Sequence, residues 1–207
     1  VPTAAERLER FTRGTTSIQA ADSAGWVVSV TPSGGWIPAF IAGESGIGLS
    51  QRMQSFVLDE KLNPYNVVAP GKRPRVTLTP SMALRGGKPL VSFSVQGGDL
   101  QDQNSLQFFL NMVEWGMNVQ QAAEGVGNVI SYQMQSSFGA HQSEPGRLQV
   151  PEAHTTPYTR AALEEMGYDV ETVERVYNPT MGIWFDRDNG TMQGGVSNYG
   201  DDYGIAW

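Results

Sequence analysis

The segment PLVSFSVQGGDLQDQNSLQFFLNMVEWG, residues 89–116, carries the strongest structural signal in the chain. An apolar run ends at Val95 and meets a glycine pair, Gly97 and Gly98. Beyond the pair, Leu106, Phe109, Leu110 and Val113 fall on one stripe that lasts until Gly116, the period of an amphipathic helix. A strand, a glycine turn and a helix are therefore expected in succession. Just upstream, VTLTPSMALR (76–85) pairs naturally with PLVSFSVQ (89–96) across Arg85 to Lys88, a hairpin pattern. Residues 63–72, with Pro64 and Pro70, read as extended chain. Nearer the N-terminus, SIQAAD and WVVSVT flank Asp22 to Gly25. This predicts another hairpin, whose nearly all-apolar second strand is expected to be buried on both faces. The stretch PSGGWIPAFIAGESGIGLS (32–50) has too many breakers for a long element and reads as an ordered loop with a short strand. AAERLERFTRG (4–14) places Leu8 and Phe11 on one face and predicts a short amphipathic helix or tail. Towards the C-terminus, VQQAAEG predicts a short helix and Ser131 to Gly146 a polar surface loop. A third helix has Thr156 as N-cap, Pro157 in its first turn and Gly167 as its stop. YDVETV, MGIWFD and TMQGGVS read as strands, the last two joined at Arg187 to Gly190. Strands, then helices, then a helix and strands again predict an α+β layered sandwich.

The 207 residues are enough to bury a real core, with 40% apolar and 17% charged side chains. Lys and Arg number 14 against 21 Asp and Glu, giving a net charge of −7. The longest basic cluster is KRPR at Lys72 to Arg75, so no nucleic-acid partner is expected. The absence of Cys removes disulfides, thiolate metal sites and cysteine nucleophiles, but leaves the compartment open between periplasm and cytoplasm. With two histidines, His141 and His154, a multi-histidine metal site is excluded, and no metal or cofactor is expected. No apolar run approaches the ~18 residues of a membrane span. Val1 opens a polar helical stretch, so an export signal, if the protein has one, lies upstream.

Several features with chemical potential have simpler explanations. GESGI at Gly43 to Ile47 lacks the final glycine of a nucleophile elbow and reads as a turn. Neither histidine lies near an obvious nucleophile. DRDNG at Asp186 to Gly190 has an incomplete calcium-loop spacing and reads as hairpin chemistry. Two features are harder to set aside. Gly14-Thr15-Thr16 places a hydroxyl at the head of a strand, preceded by a residue small enough for a strained peptide bond. Gly97-Gly98 lies at a strand-to-helix junction, where missing side chains let backbone N–H groups meet a developing oxyanion.

The succession TTSIQAAD, WVVSVT, AGESGIGLSQRMQSF, NPYNVVAPGKRPRVTLTP and VQGGDLQDQNSLQFFLNMVEWGMN resembles the small, catalytic subunit of the γ-glutamyltransferase family. The likeness covers roughly residues 15–123, and GRLQV and the final GDDYGIAW are compatible with it. It implies the four-layer αββα sandwich of the N-terminal nucleophile hydrolases, with this chain forming the small-subunit part. Residues 1–14 are then a tail or linker from the large subunit, and 15–207 the catalytic domain. The resemblance implies autocleavage between Gly14 and Thr15, with Thr15 as nucleophile and its freed α-amine as general base. Gly97 and Gly98 match the oxyanion-hole glycines, and Ser33 matches a threonine whose hydroxyl touches the nucleophile. If the fourteen preceding residues stay attached, the amine of Thr15 remains in a peptide bond.

The resemblance also implies a change of substrate. Where family members hold the α-amine of a γ-glutamyl group with an Asp, this chain has Ser55, and an Asn that helps there matches Gly35. Of the paired serines that hold the α-carboxylate, the first matches Val76 and the second Thr77. Without a carboxylate, the site would hold an ammonium poorly, so acyl specificity is expected to shift from γ-glutamate, with Arg52 supplying an anion contact. A true γ-glutamyl hydrolase or transpeptidase with rearranged contacts is one alternative. An unprocessed relative with a binding role is the other. The expected partners are a small-molecule amide and the large subunit of the same precursor, against which GGWIPAFIAG and YGIAW would pack.

Overall fold

The computed structural model describes residues 15–34, 40–125, 130–133, 143–174, 176, 179–199 and 202–206. The expected N-terminal helix or tail, Gly14, Gly35 and His141 lie outside them.

The first hairpin joins β1 (Ile18–Ala21) to β2 (Val27–Val30). Pairing Gln19 with Ser29 and Ala20 with Val28 divides the side chains between two faces. Gln19, Ala21, Val27 and Ser29 turn inward, while Ile18, Ala20, Val28 and Val30 are exposed. The expected two-sided burial of β2 therefore does not occur among the described residues. Among the described residues, no layer lies over the apolar outer face.

The inner face lies on a four-stranded antiparallel sheet of order β3-β4-β8-β9. Its strands are β3 (Ser81–Arg85), β4 (Lys88–Val95), β8 (Thr180–Asp186) and β9 (Thr191–Val196). Gly86 and Gly87, with φ of 58° and 74°, supply the two positive φ values of a type I′ hairpin turn. Residues 76–80 of the expected strand stay outside β3. Pro80 has no N–H for a ladder, and Thr79 Oγ1 instead donates to Gln101 Oε1 at 3.3 Å. The stretch 63–72 is a series of turns instead of extended chain. There the Asn63 side chain accepts from Tyr65 N–H, and Asn66 and Lys72 N–H close turns onto Asn63 and Ala69, the local bonding that favours turns.

Strand β4 divides two kinds of interior. Ser92 and Ser94 are fully buried towards the hairpin, where the Gln19 amide accepts from Ser92 and donates to Ser94 Oγ at 2.6 Å. Val91 and Phe93 face the opposite way, into a core with Phe108, Met112, Val119, Ala122 and Ala123. That core seats helices α1 (Leu100–Val113) and α2 (Val119–Glu124) on the sheet. The Phe93 and Phe108 rings lie 5.2 Å apart, centroid to centroid. The result is a hairpin layer, a sheet layer and a helix layer in sequence. The stripe expected on α1 is rotated: Gln101, Asn104, Ser105, Phe108 and Met112 are buried, while Leu106 is 58% exposed. The N-terminal half of the helix faces polar chain around Thr79, so polar side chains take the buried positions.

A second sheet has order β5-β6-β7, from β5 (Ile130–Gln133), β6 (Ser143–Pro151) and β7 (Asp169–Val173). Strands β5 and β6 take up both ends of the polar stretch expected to be loop. Their polarity hid them because strand propensity reports side-chain packing more than the backbone. Strands β6 and β7 run parallel, joined through helix α3 (Pro157–Glu165). Thr156 caps α3 by accepting from Thr159 N–H. Gly167, at φ 93°, follows its end, as the sequence predicts.

Candidate active site

The ladder of the first hairpin continues past its strands. Thr15 bridges Ser33 across the antiparallel pair, in the register set by Gln19 and Ser29. Thr16 N–H donates to the Pro32 carbonyl at 3.2 Å. Period-two alternation then puts Thr15, Ser17 and Gln19 on one face of the first strand, and Ser29, Thr31 and Ser33 on the same face of the second. Thr15 Oγ1 donates to Ser33 Oγ at 3.1 Å. Ser17 and Thr31 are buried, and their hydroxyls have no hydrogen-bond partner among the described residues. A line of hydroxyls inside the sandwich thus ends at Thr15. Thr15 and Ser33 are both half-buried residues.

Strand β4 leads to the other half of the site. Gln19, four residues after Thr15, holds Ser94, three residues before Gly97. Gly97 and Gly98 have φ of 126° and 58°, values that only glycine adopts without strain. Their carbonyls accept from Leu100 and Gln101 N–H at 3.1 and 3.3 Å and so begin α1. A trans peptide points its C=O and N–H in opposite directions. The N–H groups of Gly98 and Asp99 therefore leave the helix end outward, where an N-terminus attracts negative charge.

The Arg75–Asp99 charge pair at this corner was not singled out from sequence. Arg75 Nη1 forms an ion pair with Asp99 Oδ1, the carboxylate that directly follows the glycine pair. Arg52 opens a 3₁₀ turn, Arg52–Ser55. Burial first, and then repulsion from the Arg75 guanidinium, hold the Arg52 pKa below the usual arginine range. Arg75 was visible in the sequence only within a basic cluster. Asp99 was visible only as the residue after two glycines.

The other expected site residues are spread around this turn. Ser55 is buried, and its carbonyl accepts from Asn66 Nδ2 at 2.6 Å. Val76 is exposed and Thr77 half-buried, directly after Arg75. The set-aside candidates sit in ordinary local bonding. Ser45 Oγ donates to the Ala42 carbonyl at 2.6 Å inside a turn, and His154 is exposed at the end of a 3₁₀ turn. The Asp186 carboxylate accepts from Asn189 N–H at 3.1 Å and Asn189 Nδ2 at 2.8 Å. These bonds hold its pKa below the usual carboxylate value. Among the described residues, no helix is long and apolar enough to cross a membrane.

Comparison with known proteins adds an independent line. A family model described as gamma-glutamyltranspeptidase matches residues 4–206. The glutathione hydrolase-like YwrD proenzyme of Bacillus subtilis is 34% identical over 172 residues, 81% of this chain and 30% of that protein. The glutathione hydrolase proenzyme of Escherichia coli is 30% identical over 142 residues, 65% of this chain and 22% of that protein. The chain thus spans less than a third of these curated relatives. An acivicin-inhibited gamma-glutamyltranspeptidase of known structure superposes with a TM-score of 0.72 at 21% identity. That match covers 91% of this chain and the whole of the other, and it shows that the two share an α+β sandwich fold.

Proposed function

Because the chain belongs to the gamma-glutamyltranspeptidase family, we propose that it is the nucleophile-bearing part of an amide-bond hydrolase or acyl transferase. The observation that carries this reading is the 3.1 Å contact from Thr15 Oγ1 to Ser33 Oγ. It lies at the end of a hydroxyl-lined face tied by Gln19 to the strand that enters the glycine pair. Cleavage of the Gly14–Thr15 bond frees the Thr15 α-amine. Thr15 Oγ then attacks the amide carbonyl carbon and its proton passes to that amine. The oxyanion is held by the N–H groups at the Gly97–Gly98 corner, donors worth roughly 10²–10³ in rate each. The ammonium returns the proton to the leaving amine as the C–N bond breaks, and an ester to Thr15 remains. Water resolves the ester in hydrolysis and an acceptor amine resolves it in transfer. Ser33 holds the hydroxyl of Thr15 in line for its attack on the amide carbonyl.

The rest of the precursor supplies the missing layer. The exposed outer face of the first hairpin, with Ile18 at 50%, Val28 at 44% and Val30 at 40% exposure, fits an interface with that segment. The names of the relatives favour a second reading, hydrolysis of γ-glutamyl compounds such as glutathione. Ser55, where a carboxylate would hold an ammonium, and the Arg52 guanidinium on the same 3₁₀ turn favour an acyl group without an ammonium.

The test is intact-mass and N-terminal analysis of the full precursor product, beside a Thr15→Ala variant. A species beginning at Thr15 in the wild type, and none in the variant, is expected. An uncut wild-type chain that also fails to hydrolyse any amide would leave a binding role in place of catalysis.

A further inference from the structure

Thr15 and the glycine corner belong to separate sheets. Thr15 prolongs β1 of the two-stranded hairpin, and Gly97 and Gly98 follow β4 of the four-stranded sheet. No backbone ladder joins those two sheets among the described residues, so side chains between the layers set their spacing. Gln19 crosses that gap with both polar atoms of its amide engaged. Ser29 Oγ directs its one proton to the Phe93 carbonyl at 3.3 Å and therefore accepts from Gln19 Nε2 at 2.9 Å. The same Nε2 donates to Ser94 Oγ at 2.6 Å, and Oε1 accepts from Ser92 Oγ. Ser92 and Ser94 are fully buried and share one face of β4, about 6.7 Å apart along the strand. An amide bonded to both is held against sliding in either direction, since a step towards one serine breaks the bond to the other. Apolar contacts carry no such direction.

We propose that Gln19 is a positioning residue that sets the distance between the Thr15 hydroxyl and the N–H groups of the Gly97–Gly98 corner, by locking the hairpin to β4. Its kinetic consequence rests on the function proposed above. Four residues of chain connect Gln19 to Thr15, and three connect Ser94 to Gly97. The lock thus lies close behind both groups, and a slide at Gln19 is carried to the site. Thr15 Oγ attacks the same carbonyl whose oxygen the corner receives, so the two must stay in fixed relation. A misplacement of about 1 Å between reacting groups costs ~10²-fold in rate. Gln19 itself touches no substrate, and the loss of its amide falls on the transition state, not on substrate binding.

The experiment measures kcat and KM on γ-glutamyl and butyryl p-nitroanilide for the full, processed protein, Gln19→Met, Ser94→Ala and the double variant. Met keeps the length of Gln and removes its amide. Gln19→Met is expected to lower kcat about ten- to a hundredfold with KM nearly unchanged. The double variant should lose about as much as Gln19→Met alone, because both substitutions break one link. Gly195→Ala is the control for lost stability, since its Cβ meets the Val119 backbone at 2.6 Å on the helix side of the sheet, and it should keep kcat. An unchanged kcat in Gln19→Met, a loss confined to KM, losses that multiply in the double variant, or an equal loss in Gly195→Ala overturns the lock. No cleavage of either anilide, with Thr15 never freed or acylated, fails the proposed function instead. Hydrogen exchange on the same full proteins judges the lock whether or not an anilide is cleaved. The Thr16 N–H bonded to the Pro32 carbonyl and the Gln96 N–H bonded to the Pro179 carbonyl should lose protection together in Gln19→Met, and by more than in Gly195→Ala. Faster exchange at one of them alone, or at neither, overturns the lock.

Discussion

A single hydroxyl contact gives the site its direction. Thr15 Oγ1 has a rotor that burial alone would not fix, and Ser33 Oγ fixes it at 3.1 Å. Removing the acceptor with Ser33→Ala should lower kcat about five- to tenfold, the worth of one neutral hydrogen bond, and leave KM nearly unchanged. Ser33→Thr should restore most of the rate, because it returns the hydroxyl to the same register position. Steady-state kinetics on a cleaved amide, with thermal melts to exclude a folding defect, check this. Identical kcat in Ser33→Ala and the wild type would remove Ser33 from the site. Thr15 stood out in the sequence as a hydroxyl at the head of a strand after Gly14, whereas Ser33 was legible only through family likeness, although the alternation Thr15-x-Ser17-x-Gln19 against Ser29-x-Thr31-x-Ser33 already marks a polar inner face. The Arg75–Asp99 pair spans 24 residues, and nothing local in either segment announces the other. Such charge pairs are a product of packing, and they are visible only once the turn after β4 is placed.

Among the elements, strands β8 and β9 show how glycine sets the distance between layers. Gly182 and Gly195 are partners across the two strands, and together they form a shelf under the helices. A Cβ at Gly182 would meet the Phe108 ring at 2.6 Å, and one at Gly195 would meet the Val119 backbone at 2.6 Å. The second contact is the less forgiving, since a backbone atom cannot rotate away. Gln120 adds to this closeness by donating to the Val196 carbonyl at 2.8 Å and accepting its N–H at 3.1 Å, which covers part of the outer edge of β9. Gly195→Ala should therefore destabilise the fold by about 1–3 kcal/mol, the usual cost of overpacking, as read by urea unfolding. An unchanged midpoint would mean that α2 is free to move away. The hairpin signals, the cap of α3 and the glycine stop of that helix were legible because each depends on neighbours in sequence. The buried stripe of α1 was not. Its N-terminal half meets polar residues around Thr79, and a hydrophobic period cannot locate a polar interior.

For the whole molecule, the sandwich is inverted from the usual expectation. Its sheet-to-hairpin interior is polar, with Gln19, Ser29, Ser92 and Ser94 bonded across it. Its apolar hairpin surface, meanwhile, faces outward with Trp26 at the turn 74% exposed. A polar interior between two sheets suits a chamber for amide chemistry, and an apolar exterior suits a missing layer. The α+β layering was legible from the order of elements, but the completeness of the layers was not, because hydrophobicity reports that a face is covered without saying by which chain. If the precursor's other segment covers this face, Val30→Lys places a charge in the middle of the interface, where an unpaired ammonium is costly. The substitution should leave secondary structure intact in this chain, where Val30 is already solvent-exposed. It should also prevent a stable complex between the two segments, as measured by size-exclusion chromatography with light scattering of the processed protein. Tyr158→Lys, on the exposed side of α3, serves as the matched control and should assemble normally. A Val30→Lys protein that assembles as well as the control would place the partner on another surface and leave the outer face of the hairpin uncovered in the working enzyme.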